Sequence, residues 1–231
     1  MVKGSIKARF SARGFPGLHL TVGIVVLAIA GLLFALVAGH VVNGGALAII
    51  DVQLAQWLHE HSRPRLTQCL LALTHLHDPI VISVVAALIT LYFIWKKRWY
   101  AALAVLLVVQ GGMLLNLLAK QAFHRARPSF ENPLVTLTTY SFPSGHVVAS
   151  TVFYGVLAAL LISQTTSWRR ACCIALTVLA MVVLVAFSRM YLGAHYLSDV
   201  LAGFLEAIAW LALCLTAIQA YRGYHATDIV Q

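Results

Sequence analysis

The chain has 231 residues, 61% of them hydrophobic and only 10% charged, with a formal net charge of +9. That balance excludes an ordinary water-soluble domain and places the chain in the membrane class. The positive charge does not mark a nucleic-acid partner, because it falls in small clusters between long apolar runs.

A hydrocarbon core takes about 20 apolar residues per helix. Six runs approach that length: 18–42, 79–95, 100–119, 146–163, 171–191 and 197–219. The expected fold is all-α, an integral membrane bundle of six transmembrane helices over 18–219, with a basic N-terminus over 1–17 and a tail over 220–231. Lys3, Lys7, Arg9 and Arg13 precede the first run, which imitates a signal peptide. That run exceeds the ~7–15 residues of a signal h-region, so an uncleaved first span is expected, with cleavage before His40 as the alternative.

Residues 43–78 form the longer outer connection. Within it, Ile49, Ile50, Val52, Leu54, Trp57 and Leu58 recur at helical spacing, with Asp51, Gln53, Gln56 and Glu60 as the polar positions. The pattern predicts an amphipathic helix over 46–59, lying in the membrane interface or capping the other loops. His59 and His61, then His75, His77 and Asp78, have a spacing that could ligate a metal, but no thiolate or second carboxylate joins them. Headgroup-facing or solvated histidines are the expectation.

Gly111-Gly112 in the third run predicts close helix packing. Cys69, Cys172, Cys173 and Cys214 form no C-x-x-C pair and read as small buried hydrophobes. The 129–142 connection, with Pro133 and several threonines, is either a substrate selector or a passive linker.

Three polar islands interrupt the second half. Lys120 ends the third run, where it can snorkel or bind an anion, and Asn116 one turn earlier is placed to orient its amine. Arg127 offers a planar fork suited to bidentate phosphate contact, and Pro128 turns the chain. His124 and Arg125 read as electropositive surroundings. Phe142-Pro143-Ser144-Gly145-His146 opens the fourth run as a glycine turn feeding a helix, which presents free N–H groups to an anion. Ser144 is either a plain N-cap or an additional donor. His146 is placed to protonate a leaving oxygen. Arg189 closes the fifth run as a third cation. His195 and Asp199 stand i,i+4 at the start of the sixth, on one helix face, where the carboxylate can accept the imidazole Nδ1–H and free Nε2 for attack on phosphorus.

In order and spacing, Lys120-x6-Arg127-Pro128, Pro143-Ser144-Gly145-His146 and Ser188-Arg189-x5-His195-x3-Asp199 resemble the three-part signature of the type 2 phosphatidic acid phosphatase (PAP2) superfamily. The resemblance covers 120–199 and implies an integral membrane lipid phosphatase acting through a phosphohistidine. It implies phosphate held by Lys120, Arg127, Arg189 and the Ser144–Gly145 turn, with His195 as nucleophile, Asp199 assisting it and His146 as proton donor. No metal or cofactor is implied. Vanadium haloperoxidases share the pocket but are soluble, and a non-catalytic anionic-lipid binder or transporter would not need both histidines.

The implied partners are a lipid bilayer and a membrane lipid phosphate: undecaprenyl diphosphate first, then phosphatidylglycerophosphate, phosphatidate or lipid A. Lys3, Lys7, Arg9, Arg13, Lys96, Lys97, Arg98, Arg169, Arg170 and Arg222 are ten of the sixteen Lys and Arg residues, all on one side of a six-span topology. The positive-inside bias makes that side cytoplasmic, with both termini inside and the site facing the periplasm from a bacterial inner membrane. Glu206, about two turns beyond Asp199 and within the sixth run, is either a protonated structural group paired with a polar residue such as His40, or a proton relay.

Overall fold

The computed structural model describes residues 16–228, so the basic cluster ahead of the first helix lies outside the described residues. Eight helices follow one another: α1 (Pro16–Val42), α2 (Ala46–Glu60), α3 (Pro64–Leu76), α4 (Pro79–Trp95), α5 (Trp99–Phe123), α6 (Gly145–Ile162), α7 (Trp168–Tyr191) and α8 (Leu197–Asp228). No strand occurs among the described residues.

Five helices, α1, α5, α6, α7 and α8, are individually long and apolar enough to cross a bilayer. The run at 79–95 is too short to do so alone. It becomes α4, joined to α3 by a 40° bend, and the pair together makes a sixth crossing possible. The chain is a multi-pass membrane protein of all-α architecture. The 43–78 connection holds two helices instead of the one expected, because Pro64 starts α3 in the position where a missing N–H costs nothing.

The helix α6 is the axis of the bundle. Val147, Val148, Val152 and Val156 are fully buried between α5, α7 and α8. Lipid tails are as apolar as valine, so close packing and not water exclusion drives this association. Small residues permit it. The ring of Trp210 on α8 lies against Gly111 and Gly112, and its Nε1 donates to Leu107 O and Val108 O, each at 3.1 Å. The expected role of the glycine pair is the observed one.

The helix α2 departs from its expected polar face at one position, since Gln53, Gln56 and Glu60 are exposed as expected but Asp51 is not. Asp51 points inward with Ala55 and Leu58, whereas Ile49, Ile50, Val52 and Trp57 are exposed. The inward turn of Asp51 follows from its having a cationic partner there, Arg125 (2.8 Å). All four cysteines are free thiols and only Cys214 is buried, so the buried-hydrophobe expectation fails for Cys69 and Cys173, which are exposed. Lys97, Arg98 and Arg222 line one cleft at the end of the bundle away from the polar islands.

Candidate active site

Two turns bring the polar islands together. His124 adopts a left-handed conformation (φ 48°) that ends α5 and redirects the chain into Arg125 and Arg127. Gly193 (φ +67°) turns the chain after α7, and the ring of Phe130 fills the space a side chain would need there. The backbone then folds back, with Ala194 N and His195 N both donating to Arg189 O at 3.0 and 3.2 Å. His195 therefore precedes α8 instead of lying on it, while Asp199 occupies the first turn of α8. The expectation of one shared helix face is corrected: the pair is a turn residue and a helix residue.

The His195 ring is 2% exposed. Its Nδ1 faces Asp199 Oδ2 at 3.5 Å and Ser141 Oγ at 3.4 Å. Its Nε2 faces Arg127 Nη1 at 3.2 Å. Asp199 Oδ2 also accepts from Tyr196 N at 2.8 Å and from the Ser141 hydroxyl. Burial holds the imidazole pKa far down, to about 3, which outweighs the opposing pull of Asp199. The ring is thus neutral at physiological pH, with Nδ1–H aimed at carboxylate and a lone pair on Nε2.

Arg127 is anchored on three sides, donating to Thr139 O (2.7 Å), Ala194 O (2.6 Å) and the Thr139 hydroxyl (2.8 Å). Lys120 Nζ donates to Tyr140 O at 2.7 Å. The 129–142 connection is consequently part of the site and not a passive linker: Thr139, Tyr140 and Ser141 meet Arg127, Lys120 and Asp199. Arg189, 2% exposed, donates from Nη1 to Thr74 Oγ1 at 2.6 Å, and its Nε has no partner.

Ser144 occupies the N-cap of α6 without making a cap bond. Its hydroxyl is buried and unpartnered, so the plain N-cap reading is corrected. Ser144 N donates to Asp199 O at 3.0 Å, which ties the start of α6 to α8. Gly203 makes this approach possible, since a Cβ there would lie 2.8 Å from Ser144 O. Gly145 packs beside Asn116 and Lys120 in the same way. His146 Nε2 stands 4.0 Å from Asp78 Oδ2, and Asp78 also caps α4 by accepting from Ile80 N at 2.8 Å.

Several expectations about neighbours change. Asn116 does not orient Lys120. Its amide donates to Glu206 Oε2 (3.1 Å) and to Pro143 O (3.4 Å), so Glu206 is paired with Asn116 and not with His40. His61 stacks on Trp57 and His59 on Phe130, while His77 bridges Leu73 O and the Tyr154 hydroxyl (2.8 and 2.7 Å). Among the described residues no three His, Cys, Asp or Glu side chains gather as a metal site would require.

Two participants were not recognised in the sequence. Arg125 reaches Asp199 Oδ1 at 2.6 Å, and Ser141 reaches Asp199 Oδ2. Arg125 lies two residues before Arg127, and Ser141 three before Ser144. Nothing in the spacing alone separates them from bystanders. Three cations, an unpartnered hydroxyl, a helix N-terminus and two imidazoles can together neutralise a tetrahedral anion and transfer it.

Comparison with known proteins agrees with this chemistry. The model of the PAP2 superfamily matches residues 99–222. The chain is similar to a Bacillus subtilis protein named phosphatidylglycerophosphatase B, at 32% identity over 74% of this chain and 85% of that one. It is similar to a Sulfolobus acidocaldarius protein named undecaprenyl-diphosphatase, at 29% identity over 56% of this chain and 61% of that one. Among solved structures, the transmembrane PAP2-type phosphatidylglycerolphosphate phosphatase of Bacillus subtilis superposes with a TM-score of 0.71 at 28% identity, covering 82% of this chain and 94% of that one.

Proposed function

This chain belongs to the PAP2 superfamily of membrane lipid phosphatases, and we propose that it removes a terminal phosphate from a membrane lipid through a phosphohistidine at His195. The observation that carries the reading is the His195 ring itself: buried, neutral, backed by Asp199 on Nδ1 and facing Arg127 through Nε2.

In the first step His195 Nε2 attacks phosphorus, a P–N bond forms and the P–O bond to the lipid breaks. His146 gives its proton to the departing oxygen, and Asp199 stabilises the imidazolium through Nδ1–H. In the second step water attacks the phosphohistidine and the P–N bond breaks. The water proton returns to His146, and inorganic phosphate leaves. Lys120, Arg127, Arg189, the Ser144 hydroxyl and the N–H groups at Gly145 bind the phosphoryl oxygens, whose charge grows on the equatorial positions in the transition state.

A lipid phosphate as substrate is supported by the apolar helices that carry the site. A site gathered where the ends of apolar helices meet suits a phosphate presented at the membrane boundary. Phosphatidylglycerophosphate is supported by the relative that matches most of both chains, and undecaprenyl diphosphate by the second relative and by an outer-facing site. The basic turn at Lys96–Arg98 and Arg169–Arg170 supports a cytoplasmic assignment for the opposite end of the bundle. The site then faces the periplasm of a bacterial inner membrane. The test is phosphate release from phosphatidylglycerophosphate, undecaprenyl diphosphate and phosphatidate by purified protein in detergent with a chelator present. Turnover of one or more, lost on addition of vanadate, is expected; turnover that requires added magnesium contradicts the mechanism.

A further inference from the structure

Asp51 has no place in that mechanism, yet its side chain is fully enclosed. It lies on α2, whose other face carries the exposed Ile49, Ile50, Val52 and Trp57. Its Oδ1 accepts from Ser198 N at 2.9 Å, and its Oδ2 accepts from Arg125 Nη2 at 2.8 Å and from the Ser198 hydroxyl. Arg125 Nη1 then reaches Ser198 Oγ and Asp199 Oδ1, both at 2.6 Å. One guanidinium thus joins a carboxylate from α2 to the carboxylate that backs His195.

If this ion pair only docked α2, apolar side chains of similar volume would serve as well. The geometry points to more. A guanidinium fork binds a carboxylate best with two parallel bonds, but here each arm takes one oxygen from a different carboxylate. Asp199 Oδ2 is thereby left to Tyr196 N, Ser141 and His195. The His195 Nδ1 contact, at 3.5 Å, is the longest of these and the first to be lost if the carboxylate rotates.

We propose that Asp51 is a positioning residue: it holds one arm of Arg125, restricts that guanidinium to Asp199 Oδ1, and so keeps Asp199 Oδ2 turned toward His195. Without the second carboxylate, Arg125 closes on both oxygens of Asp199 and draws it off the imidazole. The seating of α2 then sets the reactivity of His195. This rests on His195 being the nucleophile, as given above.

The test compares wild type with Asp51→Asn, purified in detergent and shown monodisperse, by single-turnover phosphoenzyme formation and by inhibition constants for vanadate and inorganic phosphate. Asp51→Asn is expected to slow phosphoenzyme formation by about 10²-fold, the scale of a 1 Å misplacement. Vanadate, which bonds to the nucleophile, weakens with it, whereas inorganic phosphate stays within about threefold. Leu58→Ala loosens the same helix by removing a side chain packed near Tyr191 and Leu192 and is expected to leave the ratio of vanadate to phosphate affinity unchanged. A matching shift in Leu58→Ala overturns the positioning role in favour of simple docking. In an Arg125→Gln background Asp51→Asn is expected to add less than about threefold, since both act through one group; full additivity overturns the proposal.

Should Asp51→Asn fail to fold, Ser198→Ala decides the point, because it removes the hydroxyl between Asp51 and Arg125. About tenfold slower phosphoenzyme formation is expected on the same reasoning, and a wild-type rate overturns the proposal. Absence of a phosphoenzyme in wild type overturns both the nucleophile and the inference. A wild-type rate in folded Asp51→Asn overturns the inference alone.

Discussion

Arg127 Nη1 and His195 Nε2 face each other at 3.2 Å, with the guanidinium held from behind by Thr139 and Ala194. On the proposed mechanism the group that binds phosphate and the group that attacks it are thus adjacent, and binding and attack are set by one pair of side chains.

Replacing Arg127 by Lys keeps the charge but removes the fork and its anchors on Ala194 O and Thr139. On the proposed mechanism kcat/KM falls by about 10²–10³-fold, the scale for losing one preorganised donor. A loss under tenfold in steady-state assays on the lipid substrate contradicts the assignment.

His146 is proposed to protonate the leaving oxygen, so its importance depends on how badly that oxygen needs a proton. His146→Ala is expected to slow hydrolysis of a lipid phosphate monoester by about 10²–10⁴-fold. p-Nitrophenyl phosphate, whose phenolate leaves without a proton, should lose much less. Equal losses on both substrates mean that His146 acts otherwise.

Acid should destabilise the fold through His195. Burial lowers its pKa to about 3 in the folded chain, against about 6.5 when unfolded. The unfolded chain therefore takes up a proton that the folded one refuses. The contribution is fully present above about pH 6.5 and is lost progressively as pH falls toward 3. In thermal unfolding in detergent, wild type loses more Tm than His195→Gln between pH 7.5 and 5. Parallel losses refute this.

Glu206 lies deep in α8 with one oxygen on Asn116 and the other unpartnered. An amide fits that pattern as well as a carboxyl, so Glu206→Gln should keep turnover within about threefold. Glu206→Ala strands the Asn116 amide and should lower stability by about 1–3 kcal/mol. A large kcat loss in Glu206→Gln with normal expression would instead support a proton relay.

The helices that span the membrane were legible because apolar length is a direct physical requirement of a bilayer. The signature residues were legible because phosphate chemistry restricts which side chains can stand together. Asp51 was misread because an acidic residue among apolar ones looks like a polar face, and only the fold brings Arg125 to it from a loop. Asn116 one turn before Lys120 looked like its partner, but the side chain turns to Glu206, ninety residues away in sequence. Ser141 and Arg125 were hidden for the same reason: long-range partners leave no local period. The short run at 79–95 concealed that α3 and α4 form a bent pair.

The most direct measurement is rapid quench of the wild-type protein with 32P-labelled lipid phosphate, followed by peptide mapping of any trapped phosphoenzyme. An acid-labile, alkali-stable phosphoryl group on His195, absent from His195→Gln, is the predicted result. A labelled residue other than His195, or turnover by His195→Gln at the wild-type rate, contradicts the account.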